Sequence, residues 1–253
     1  MCTDYCCAYV DVLQHLSFIE EERFRGGPVY GIIALAIFFQ EKAADEVFKK
    51  IESALDGAKA VRVKFKCEGF GKRGDNETKI VSSGLLLLKE GNRCRLDTKA
   101  LVNSDDEVTV SIVSDGLKTR FEGAGKSKEI PRKTRNRFYW NELLRPGMLG
   151  ASMLRSHAKP DKIEDQIYLV SNFGDGDAEK GARTLTYDLR LAGNKGAGKV
   201  KLWYDPKGYK LLRRTLQFEN GEDNVKVEIS ETYEEYALDI EIPDDRFSLT
   251  TEK

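Results

Sequence analysis

Apolar and polar residues alternate along this chain from Ala60 to Thr250, in segment after segment. Val61, Val63, Phe65 and Cys67 alternate with Arg62, Lys64, Lys66 and Glu68, and the same rhythm returns around 108–112, 185–191, 200–204 and 225–229. Side chains of a strand point to opposite faces with period two, so each segment predicts a strand with one apolar and one wet face. Turn-forming clusters separate the segments: Glu90-Gly-Asn92, Ser114-Asp-Gly116, Asp205-Pro-Lys-Gly208 and Asn220-Gly-Glu-Asp223 among them. Hairpins repeated in this way build one large antiparallel sheet with a single apolar face. Function then depends on what covers that face.

The parse places strands at about 60–70, 78–89, 93–98, 108–114 and 117–122, then 163–174, 183–192, 199–204, 209–219, 224–236 and 246–250. A helix is predicted over 43–55, where Val47, Phe48, Ile51 and Leu55 share one stripe and Gly57 supplies the stop. Between the two sets of strands lie a basic loop at 123–137 and two short helices, 138–144 and 148–154, broken by Arg145-Pro-Gly147. Each proline after the first forty residues falls between segments, as it must where a strand needs its ladder donors. The expectation is a mainly β (α+β) domain over 43–253, preceded by a leader at 1–40.

Within the leader, residues 29–39 are unbroken apolar sequence behind Arg23 and Arg25. The run matches a secretory hydrophobic region and falls short of the roughly 20 residues of a membrane span. Ala34-Leu-Ala36 offers a cleavage site, and an uncleaved anchor is the alternative. Residues 1–22, with acidic Glu20-Glu-Glu22, fit an over-long start ahead of that leader. Export to the periplasm or cell envelope is therefore expected.

At a net charge of -1, no global field draws the protein to nucleic acid or to an anionic membrane. The local exception is the basic loop. Arg132, Lys133, Arg135 and Arg137 stand in a stretch with Phe121 as its single candidate stacking aromatic. That composition gives either a solvated loop or a dock for an acidic or membrane-bound partner, and it gives no nucleic-acid site. Five scattered cysteines and two distant histidines supply neither a disulfide framework nor a zinc site. Cys67 and Cys94 are expected to meet on neighbouring strands, as a disulfide or as a reduced buried pair. The glycines of 193–198 join two strands rather than opening a helix, so they form a turn and no phosphate cradle. Adjacent acids at 234–235 and 244–245 read as solvated surface rather than a hydrolytic dyad. Neither an enzyme nor a bound cofactor is expected.

What remains is the apolar face. An antiparallel sheet this wide twists and curls, producing a concave surface. Alternation puts Phe65, Ile112, Tyr187, Leu189, Leu202 and Phe218 on it, with Leu86 and Leu88 added from a run apolar on both faces. Phe48, Ile51 and Leu55 of the helix, with Leu144, Met148 and Leu149 of the insertion, are the available lid. A complete lid makes an ordinary core. An incomplete or mobile one makes a groove for an acyl chain, and the adaptable methionines and loosening glycines of the insertion favour the groove.

Several local patterns, in order, resemble the LolA-like periplasmic lipoprotein carriers and their relatives of the RseB type. Residues 51–65 are similar to that family's opening helix and first strand, and Gly84-Leu-Leu-Leu-Leu-Lys-Glu-Gly-Asn92 to its glycine, apolar run and turn. Ile112-Val-Ser-Asp-Gly-Leu-Lys-Thr119 resembles a family hairpin, as does Leu202-Trp-Tyr-Asp-Pro-Lys-Gly208, and Ile242-Pro-Asp-Asp-Arg-Phe247 its closing strand. The resemblance implies a curved, unclosed antiparallel half-barrel with helices over its concave face. It also implies a monomeric, non-enzymatic carrier of lipid or lipoprotein acyl chains. The alternative is a signalling module of the same fold that senses lipid or docks a membrane-bound regulator. One departure bears on the carrier cycle. Where the family's turn carries an arginine that holds the lid shut, this sequence has Glu90.

Overall fold

The computed structural model describes residues 29–73, 75–103, 106–123, 126–130, 139, 143–145, 147–149, 168–179, 181–191, 197–220 and 225–249. They form a mainly β fold. One helix, α1 (Val29–Asp56), precedes eleven strands: β1 (Ala60–Arg73), β2 (Asn76–Lys89), β3 (Arg93–Val102), β4 (Asp106–Asp115), β5 (Thr119–Gly123), β6 (Lys126–Ile130), β7 (Tyr168–Glu179), β8 (Ala182–Leu191), β9 (Ala197–Asp205), β10 (Lys210–Asn220) and β11 (Val225–Leu238). A short 3-10 turn, Asp244–Phe247, follows.

All eleven strands belong to one sheet, in the order β6-β5-β4-β3-β2-β1-β11-β10-β9-β8-β7. Two antiparallel meanders thus meet where β1 pairs with β11, Val63 opposite Tyr236 and Cys67 opposite Glu231. The sheet does not close, and among the described strands its two outermost members, β6 and β7, follow one another in sequence. The stretch between them, 131–167, therefore runs from one of these strands to the other. Of that stretch, Tyr139, Leu143, Leu144, Met148 and Leu149 pack into the core cluster with the inward residues of the sheet.

Alternation holds along β1, β8 and β9, while in β4 the inward row reaches Ile112 and Val108 is exposed. Val61, Val63, Phe65 and Cys67 are buried on one face of β1, with exposed or half-buried partners between them. A bulge between Lys64 and Phe65 leaves Glu234 of β11 opposite no residue, so inward positions resume at Tyr233 and Tyr236. Phe65 fits because its partner across β2 is Gly84; a Cβ there would stand 2.5 Å from the ring.

Several boundaries differ from the sequence reading. The helix spans 28 residues, Val29–Asp56, rather than 43–55, because nothing between Tyr30 and Asp56 breaks it: neither proline nor a capping glycine intervenes before Gly57. Gly57 ends it by donating its N–H to Ser53 O at 3.0 Å. Part of the expected basic loop is strand β6, paired with β5 through Thr119 opposite Ile130. The expected closing strand at 246–250 is instead the 3-10 turn and extended chain as far as residue 249. Cys67 and Cys94 do not meet. They lie on β1 and β3 with β2 between them, Cys67 level with Ser82 and Cys94 with Leu88. Both are buried thiols, not joined by a disulfide.

Candidate functional site

One continuous apolar cluster fills the concave face. Phe65, Leu86, Leu88, Ile112, Tyr187, Leu189 and Leu202 of the sheet join Phe48, Ile51 and Leu55 of α1 and Leu144, Met148 and Leu149 of the insertion. None of these side chains is more than 8% exposed, so the face is covered. Phe218 lies on β10 opposite Val227, its side chain outside the described atoms. Arg132, Lys133, Arg135 and Arg137 lie outside the described residues.

The two parts of the cover are fixed by different means. Helix α1 packs through Phe48, whose ring meets Phe173 of β7 at 5.2 Å and Tyr187 of β8 edge-on at 5.3 Å. The insertion is held by polar contacts to its main chain. The Tyr187 hydroxyl shares its one proton between two carbonyls, Leu144 O at 3.0 Å and Arg145 O at 2.8 Å. Arg214 of β10 donates from Nη2 to Leu144 O. Glu231 of β11 accepts the Leu149 N–H at 2.6 Å and the Tyr233 hydroxyl at 2.8 Å. Arg145 ties the insertion outward, to Glu52 of α1 at 2.8 Å and to the Tyr168 carbonyl of β7.

Arg214 and Glu231 are cross-strand partners, both fully buried, with Nη1 and Oε2 3.7 Å apart. Two inward charges in the middle of an apolar face are costly unless paired. They are paired, yet incompletely: Arg214 Nε and Nη1 have no hydrogen-bond partner among the described residues. Burial alone would lower the Arg214 pKa, but Tyr233, Tyr187 and Glu231 raise it above its ordinary value, so the guanidinium keeps its charge. The neighbours respond in kind. Burial, reinforced by Glu231, pushes the Tyr233 hydroxyl and the Cys67 thiol well above their usual ranges, so both stay protonated. Gly147, at φ +83°, makes the close approach possible. A Cβ there would stand 2.3 Å from Glu231 Oε2 and 2.7 Å from Arg214 Nη1.

Sequence reading named thirteen of the buried apolar residues of this cluster but not Arg214, Glu231, Gly147 or Arg145. The signal was present for two of them. Glu231 is in phase with Val227, Ile229 and Tyr233, and Arg214 with Leu216, so each is a charge at an inward position. A bulge between Leu211 and Arg213 obscured the second by placing Leu211 and Arg214 on the same face. Glu90, which stands where the resembled family has its lid arginine, sits in the β2–β3 turn with its N–H bonded to Lys59 O at 2.9 Å. The arginine on the cover here comes instead from β10.

No protein-family model matches the chain, and no curated protein matches it. Solved structures similar to it include LprF from Mycobacterium bovis, at 11% identity and a TM-score of 0.39 over 80% of this chain and 96% of that one. Another is a LolA superfamily protein from Nitrosomonas europaea, at 12% identity and a TM-score of 0.32 over 81% and 97%. A third is a DUF1329 family protein from Desulfovibrio piger, at 9% identity and a TM-score of 0.31 over 83% and 98%. Likeness at this distance bears on neither substrate nor activity. The class that the fold itself defines is an unclosed antiparallel half-barrel with a covered concave face.

Proposed function

We propose that the protein is a non-enzymatic cell-envelope carrier that binds the acyl chains of a lipid or lipoprotein beneath its cover. The observation that carries this reading is the way the cover is held. A wide apolar face is roofed by an insertion whose described main-chain atoms, Leu144 O, Arg145 O and Leu149 N, are fastened by a few hydrogen bonds. Such a roof can lift while the sheet beneath keeps its own ladder. Apolar surface that it uncovers is suited to an acyl chain, at about 0.8 kcal/mol for each CH₂ group buried.

Export is supported by the apolar run 29–39 behind Arg23 and Arg25. That run forms the first part of α1, and cleavage after Ala36 would leave Ala44, Phe48, Ile51 and Leu55 to pack on the sheet. No described helix is long and apolar enough to cross a membrane.

The test is uptake of a neutral fluorescent acyl probe by the full chain and by Met148→Trp, with native mass spectrometry of the protein as extracted. A carrier takes up the probe, co-purifies with lipid, and loses uptake in the variant at little expense in stability. A closed core takes up no probe, shows a bare mass, and is destabilised by about 1–3 kcal/mol when overpacked at position 148.

A further inference from the structure

Among the described residues the fully buried charges are Arg214 and Glu231, and N–H donors there are left unmatched. Arg214 is fully buried. Its counter-ion Glu231 already accepts from the Leu149 N–H and the Tyr233 hydroxyl and lies 3.7 Å from Arg214 Nη1. Arg214 Nε and Nη1 are left without an acceptor among the described residues, and so is the buried Nε of Arg145. Arg214 meets the insertion from the sheet side, whereas Arg145 turns its guanidinium to Glu52 and the Tyr168 carbonyl. Tyr187 bonds to the carbonyls of residues 144 and 145, Arg214 donates to the first of these, and both guanidinium charges act on the Tyr187 hydroxyl.

Leaving N–H donors unmatched away from water is unfavourable, and natural cores avoid it. An apolar side chain at position 214 would fill the site without that penalty, so the idle donors point to an acceptor brought by a ligand. Charge decides which acceptor. Arg214 is matched by Glu231 and Arg145 by Glu52 at 2.8 Å, so the site is already neutral. A carboxylate or phosphate would add an uncompensated buried charge beside Glu231. A carbonyl oxygen accepts hydrogen bonds without doing so.

Resting on the acyl-binding reading above, we infer that the idle N–H groups of Arg214 form a donor site for the ester carbonyl of a neutral acylated lipid. The acyl chain runs along the apolar face, and the carbonyl takes the idle N–H donors under residues 144–149. The site therefore selects esterified chains over free fatty acids and over bare hydrocarbon.

The experiment is displacement of a neutral reporter, N-phenyl-naphthylamine, from the full chain at neutral pH. The competitors are methyl dodecanoate, dodecanoic acid and tridecane, which share similar chain length and differ at the polar end. In the wild type the ester should displace the reporter at a roughly tenfold lower concentration than tridecane, the size expected for one or two added hydrogen bonds. The acid should do no better than the ester. Arg214→Gln should lose most of that advantage while tridecane is unaffected. The doubly neutral Arg214→Gln/Glu231→Gln serves if the single change prevents folding.

Ester and tridecane displacing equally well in the wild type would overturn the donor site, its N–H groups then being satisfied by solvent, and leave the apolar cavity standing. An acid tenfold tighter than the ester would overturn the neutral carbonyl in favour of an anion. A reporter that never binds would remove the cavity reading itself, and this inference with it.

Discussion

The two faces of the sheet both carry apolar residues, both are covered by non-strand chain, and the covers are fastened in opposite ways. On the convex face, residues 240–249 form a strap. Ile242 and Phe247 pack on Ala60 and Leu87, and Asp244 takes Lys89 and Arg93 at 2.5 Å each while remaining 70% exposed. On the concave face the roof is held by an arginine and a glutamate with no exposure at all. The strap is a small hydrophobic patch pinned by ion pairs in water. The roof is a large hydrophobic surface pinned by a polar cluster out of water. An ion pair in water contributes little, whereas a dry, half-satisfied one makes the roof depend on a handful of groups. A roof of the second kind is the one suited to a regulated opening.

The largest expected effect breaks the concave fastening. Glu231→Ala leaves Arg214 buried without its counter-ion and should lower stability by about 3–5 kcal/mol in urea unfolding. Replacing both partners by apolar residues, Arg214→Met with Glu231→Leu, should cost less than Glu231→Ala, because no charge is then left buried alone, although the Leu149 N–H and the Tyr233 hydroxyl lose their acceptor. A roof that survives the double change would show that the ion pair serves something other than stability.

Next is the strap. Phe247→Ala removes a 1%-exposed ring from the convex cluster. The loss should fall at the low end of the roughly 3–5 kcal/mol seen for buried phenylalanines, since the strap can detach. Proteolysis should then cut 240–249 while probe uptake at the concave face is unchanged. Gly147→Ala should come third, at about 1–3 kcal/mol, from strain at positive φ and contact with Glu231. Unlike the strap change, it should increase uptake by loosening the roof.

Smallest is the effect of pH on the strap. The hydrogen bond from Lys89, with help from Arg93, holds the Asp244 carboxyl below its usual range. A depressed pKa contributes stability above the unfolded value of about 4 and loses it as pH falls through the lower folded value. Lowering pH from 5 to 3 should therefore loosen the strap before the roof, an order that amide exchange of residues 240–249 can check. Added salt should weaken the strap in the same way.

The sequence made the sheet, its inward residues and the identity of both roof pieces legible, because period two and the helical stripe are properties of neighbouring residues. Leu85 to Leu88 looked apolar on both faces for a reason that only the fold supplies. Leu86 and Leu88 face the roof, while Leu87 lies under Ile242 and Phe247 of a strap from the far end of the chain. The same holds for the polar cluster. Arg214 and Glu231 are adjacent only through the β10–β11 register, and Gly147, distant from both in sequence, comes close to both only in the fold. Strand 246–250 was misread because Phe247 and Leu249 mimic alternation, whereas Arg95 and Arg120 bind the carbonyls of Arg246 and Leu249 as side chains, without a ladder.

The central claim is that the roof opens while the sheet stays folded, and the amide of Leu149 reports on it directly. That N–H is donated to Glu231 at 2.6 Å, so it exchanges with solvent when the roof lifts. Hydrogen exchange of the free protein should show Leu149 exchanging at least tenfold faster than the ladder amides of β1, and faster again in Gly147→Ala. Exchange of Leu149 at the same rate as the β1 amides, through global unfolding alone, would contradict an opening roof.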